Sequence, residues 1–137
     1  MDDEERRIAK ALDTREVPSV NKKNLLKYRK YLLVQLDKGA VLTGREDFPW
    51  EEKYIFGHGS KVEYEQQKKS NPSYKDEYNL IDISEKHLED NDLVAQVERL
   101  SDRKRFEIGL SWLTTKDEKN KGFVLLDDFA TWVCNWC

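Results

Sequence analysis

At 137 residues the chain is long enough to bury a core without disulfide or metal staples, and a single domain is expected. Charged residues make up 37% of it and hydrophobic ones 38%, yet four Trp, six Tyr and five Phe supply large apolar faces and exclude a disordered chain. A net charge of −3 gives no general attraction to nucleic acid or to an anionic membrane, so neither is expected as a partner. No apolar run approaches the roughly 18 to 20 residues of a membrane span, and the acidic start lacks the layout of a signal peptide, which makes a cytoplasmic location the expectation.

Residues 1–20 form a helical arm, in which Ile8, Ala11 and Leu12 fall at helical spacing and the acids come first, as the helix dipole favours. Val17-Pro18-Ser19 interrupts it, and Ser19 or Asn21 can cap a long helix over 22–37. Leu25, Leu26, Tyr28, Leu32, Leu33 and Leu36 share its broad apolar face, and Gly39 is placed at a left-handed cap. Residues 40–43 read as a strand entering an acidic loop around Phe48-Pro49-Trp50, and residues 54–56 as a strand leaving it. Gly57-His58-Gly59 is a turn, after which Ser60 caps a surface helix to about Lys69 that Asn71-Pro72-Ser73 closes.

Residues 74–83 alternate imperfectly as a half-buried strand, and a hydrophilic connection spans 84–92. Leu93, Ala95 and Val97, then Phe106, Ile108 and Leu110, alternate with polar residues about the turn 101–104, the pattern of an antiparallel hairpin. A short apolar segment at 123–126 precedes a terminal helix at 127–136, capped by Asp127 or Asp128. The expected fold is α+β: residues 40–126 as mainly antiparallel strands and loops in a small SH3-like barrel or curled sheet, with helices flanking it.

The carboxylates Glu46, Asp47, Glu51 and Glu52 crowd one ordered loop and are hard oxygen ligands of the kind Ca²⁺ takes. The plain alternative is a solvated acidic loop with Phe48 and Trp50 turned into the core. Asp127 and Asp128 form a second acidic pair, for which capping is the plain reading. Neither 117–128 nor the stretch from Asp90 fits an EF-hand, because lysines stand where ligands belong in the first and Ala95 where the glycine belongs in the second. Cys134-Asn135-Trp136-Cys137 supplies at most two zinc ligands, and these cysteines read as ordinary thiols. His58 and His87 lie far apart in sequence, and no role falls to them. No nucleophile elbow, phosphate loop or zinc-protease motif is present, so no catalytic residue is assigned and the chain is not expected to be an enzyme.

The motif Glu46-Asp47-Phe48-Pro49-Trp50, the hairpin over 97–110 and the Trp-rich segment from Asp127 to Trp136 together resemble the bacterial CcbP-type calcium-binding proteins. The resemblance covers roughly residues 24–136. It implies an SH3-like β-domain with packed helices, and Ca²⁺ held by acidic residues outside any EF-hand. On that reading Glu46, Asp47, Glu51 and Glu52 are the leading ligands, and Asp127 and Asp128 are brought near by the closing helix. The rival reading is an immunity- or defence-type interaction module that meets a protein partner through the same acidic loop and its aromatics.

Overall fold

The computed structural model describes residues 1–57, 59–86 and 91–137. Helix α1 (Asp3–Ala11) starts on Asp2, whose carboxylate accepts the Glu5 N–H at 2.8 Å. It ends in a Schellman turn: Asp13 adopts a left-handed φ of 54°, and the N–H groups of Asp13 and Thr14 donate back to the carbonyls of Lys10 and Ala9. Helix α2 (Lys22–Gln35) is capped by Asn21, which accepts from the Asn24 N–H at 2.9 Å. Leu25, Tyr28, Leu32 and Leu36 of its apolar face are buried. The helix stops because Leu36 turns extended, at φ −73° and ψ 137°, and not at a left-handed Gly39; Gly57 is the glycine found at positive φ among the described residues.

Strand β1 (Val41–Gly44) runs into a 3-10 turn at Pro49–Glu51 that continues as the short helix α3 (Glu52–Ile55). Residues 54–56 are therefore not a strand. Pro49 has the fixed φ that a first helical residue needs, and Glu51 reaches back to the Phe48 N–H, so the loop winds into a helix at once. Helix α4 (Lys61–Ser70) follows, capped by Ser60 as the sequence indicates.

Strands β2 (Tyr78–Ser84), β3 (Val94–Arg99), β4 (Arg105–Gly109) and β5 (Leu113–Thr115) complete one antiparallel sheet in the order β4-β3-β2-β1-β5. The predicted hairpin is β3–β4, with Ala95 opposite Ile108, Val97 opposite Phe106, and Arg103 at φ 61° in the turn. The α+β class and the antiparallel strands hold, but the sheet is open, with β4 and β5 as its edges, so a closed barrel is not formed.

Helix α5 (Lys121–Asn135) starts earlier than the sequence pattern places it. Asn120 is the cap, accepting from the Gly122 N–H at 2.8 Å, and residues 123–126 are its opening turns rather than a separate segment. Leu126, Phe129 and Trp132 continue one buried stripe across the acidic pair, which puts Asp127 and Asp128 inside the helix and not at its N-terminus. Helices α1, α2 and α5 pack on one another, with α2 against β2 and α5 against β5. Their seam is aromatic: Tyr28 meets Phe129 edge-on at 5.1 Å and Trp132 at 5.2 Å, and the Trp132 indole donates to the Pro18 carbonyl at 2.8 Å. This layer joins Tyr78, Ile83, Ala95, Val97 and Ile108 of the sheet in one core.

Candidate functional site

Glu51 is wholly buried, at 0% exposure. One of its oxygens accepts the N–H groups of Tyr74 at 2.9 Å and Phe48 at 3.3 Å, and the other accepts the Tyr64 hydroxyl at 2.6 Å and the Ser73 hydroxyl at 2.7 Å. Four donors meet a carboxylate that has no guanidinium or ammonium beside it among the described residues, so oriented dipoles hold the buried charge. Burial, followed by the hydrogen bond to Glu51, raises the Tyr64 phenol above its ordinary value. Glu51 thus closes the acidic loop onto α4 and the turn at residues 73–76. Gly44 has to be glycine for the same approach, because a Cβ there would lie 2.5 Å from the Tyr74 backbone.

The loop's aromatics are structural. Phe48 is buried and meets Trp112 edge-on. The Trp50 indole donates to the Pro72 carbonyl at 2.7 Å, and its ring leans on Tyr54 and Tyr64, which stack at 5.1 Å. Of the other loop carboxylates, Glu46 and Glu52 are exposed and Asp47 is half-buried.

Among the described residues, one group of three acidic side chains converges, and it joins two helices. Oxygens of Glu4 in α1 and of Asp127 and Asp128 in α5 lie within 4.8 Å of one another. Asp128 is buried and receives the Arg7 guanidinium on both oxygens, at 2.7 and 2.9 Å, while Arg45 donates to Asp127 at 2.8 Å. Burial first, and then the charges of Asp128 and Asp127, push the Glu4 carboxyl above its ordinary range. Three carboxylates thus face two guanidiniums. Glu46 and Asp127 also line a common cavity with Arg45, Trp112, Thr131 and Cys134, so the acidic loop and the closing helix do meet, although the four loop carboxylates do not gather among themselves. Cys134 and Cys137 are free exposed thiols. His58, His87 and Asp90 lie outside the described residues.

Arg99 is the polar centre that sequence reading passed over. It is 3% exposed, donates to Asp102 through both Nε and Nη2 at 3.0 and 2.7 Å and to Asp76 at 2.9 Å, and also reaches the carbonyls of Lys68, Lys69 and Asn71 at the end of α4. A cation there meets the negative end of the helix dipole. The hydrogen bonds from Arg99 hold the Asp102 carboxyl down to about 2. In the sequence Arg99 is one more polar position of a half-buried strand, and only Asp102, three residues on, signals a local partner.

No family model, no curated protein and no solved structure matches the chain.

Proposed function

We propose that the protein is a non-catalytic Ca²⁺-binding protein whose ion is held between α1 and α5 by Glu4, Asp127 and Asp128, with Glu46 contributing from the acidic loop. The convergence of the three helical carboxylates carries this reading. They are hard oxygen donors, and their charge exceeds that of the two arginines beside them. Glu51 is assigned to the framework, because both its oxygens are already occupied. The resemblance of the sequence to CcbP-type proteins, which implies an SH3-like curl of the sheet, is in keeping with the same reading. Binding is weak, since Ca²⁺ competes with Arg45 for Asp127. Isothermal titration of metal-stripped protein tests it: one equivalent of Ca²⁺ binds, Asp127→Asn abolishes the heat, and Arg45→Met tightens binding. Absence of heat at millimolar Ca²⁺, or full binding by Asp127→Asn, refutes it.

A second reading, a module for a protein partner, is favoured by Phe56, just past the end of α3, and Val62 of α4, which are 70% and 68% exposed, and by the exposed Ile55 next to Phe56 in sequence. It predicts a single stoichiometric partner retained in the presence of chelator and lost with Phe56→Ser.

A further inference from the structure

We propose that two copies of this chain associate through the free edge of β4, antiparallel about a two-fold axis at Phe106, and extend the sheet from one molecule into the next. The ladder sets which backbone groups are available. The Arg99 N–H donates to the Lys104 carbonyl at 2.8 Å and the Leu110 N–H to the Leu93 carbonyl at 2.7 Å. With the register Val97↔Phe106 and Ala95↔Ile108, Lys104, Phe106, Ile108 and Leu110 turn their polar groups toward β3. Those of Arg105, Glu107 and Gly109 therefore face away from the sheet, on an edge no other described strand covers. The strand carries no proline and no bulge against β3, the usual guards of such an edge.

Charge selects the occupant and the register. Pairing about Phe106 places Arg105 opposite Glu107 of the second copy and Glu107 opposite its Arg105, and all four residues belong to the outward-facing set that can exchange backbone hydrogen bonds. Pairing about Glu107 would set two glutamates directly opposite, which opposes association. Both side chains are exposed, and among the described residues Arg105 gives up only a long contact with Glu98 at 3.9 Å. On the other face Phe106, half-buried beneath the Arg99 guanidinium at 4.9 Å, meets its own copy in a close pair without backbone hydrogen bonds. The arrangement is isologous and closes at two copies, whereas the three-residue β5 edge offers no equivalent surface.

The contact is small, so the dimer is weak and depends on concentration. Sedimentation equilibrium of the full chain in chelator, from micromolar to millimolar concentration, should show monomer passing to dimer. Arg105→Glu and Glu107→Arg, both on exposed side chains, should each weaken association on the order of tenfold or more, because two symmetry-related attractions become repulsions. The double variant Arg105→Glu with Glu107→Arg should restore it. A wild type that stays monomeric at millimolar concentration, single variants that dimerise normally, or a double variant that fails to recover would each overturn the proposal.

Discussion

Replacing Glu51 separates a carboxylate needed for its charge from one needed for its acceptors. In Glu51→Gln the amide oxygen can keep the two backbone donors, Phe48 and Tyr74, while the amide nitrogen faces the hydroxyls of Tyr64 and Ser73. Hydroxyls rotate and accept as readily as they donate, so all four contacts survive without charge assistance. The variant also removes a buried charge that no cation of the described residues neutralises, and the net cost should stay near 1 kcal/mol. Glu51→Ala is different, because the two backbone N–H groups cannot reverse their polarity. Each buried donor left alone costs about 1–3 kcal/mol and the lost packing about 1 more, giving about 3–7 kcal/mol. That is a large part of the 5–15 kcal/mol typical of a whole domain. Urea unfolding followed by tryptophan fluorescence and by circular dichroism measures both variants. Equal losses for Gln and Ala, or a loss below about 1 kcal/mol for Ala, would refute the acceptor argument.

Arg99→Met removes the partner of Asp76, Asp102 and the last carbonyls of α4, and should cost about 3–5 kcal/mol in the same urea assay; Arg99→Lys should recover less than half, since one ammonium cannot span the fork. Asp102 has a depressed carboxyl, so its contribution to stability is present above the ordinary value of 3.8 and is lost as the pH falls through about 2. The gap between wild type and Asp102→Asn in urea midpoint should be constant at neutral pH and shrink across that acid window, and a gap independent of pH would contradict the assignment. Burial raises the phenols of Tyr28, Tyr64 and Tyr78, so the stability they favour is full below the ordinary value of 10.0 and lost as the pH rises above it. In an alkaline titration read by phenolate absorbance these three should ionise only as circular dichroism is lost, and six tyrosines ionising in one step from a folded protein would contradict it. Glu4→Gln should raise the urea midpoint at neutral pH, because a carboxyl pushed upward disfavours the folded state when it is charged, and a lowered midpoint would count against the crowding of α1 and α5.

What could be read from the sequence was local. The α2 stripe, the β3–β4 alternation, the Ser60 cap and the inward turn of Phe48 each depend on residues a few places apart, and each stands in the fold. Residues 54–56 misled because Tyr, Ile and Phe favour strands, while the decisive contacts of that segment, from Glu51 to Ser73 and Tyr74, are made across more than twenty residues. Residues 123–126 misled for a related reason. An apolar run before two aspartates looks like a separate segment and a cap, unless Asn120 is seen to cap first and Arg7 to take up Asp128. Closure of a sheet depends on pairing between its first and last strands, which no local pattern encodes.

The same distinction ranks the carboxylates. On paper Glu46, Asp47, Glu51, Glu52, Asp127 and Asp128 are equivalent, since sequence shows the charge and not what faces it. In the fold, Glu51 is saturated by four dipoles, and Asp76 and Asp102 share a buried guanidinium. Asp128 is matched by Arg7 and Asp127 by Arg45, but Glu4 is driven into the same space without a cation of its own among the described residues. Repulsion that folding leaves in place can be relieved by protonation or by a cation from solution. At neutral pH the second route is open to an ion that tolerates several oxygens at flexible geometry, as Ca²⁺ does. The crowding of carboxylates between α1 and α5, more than the number of acids in the loop, is therefore the ground on which the proposed Ca²⁺ site rests.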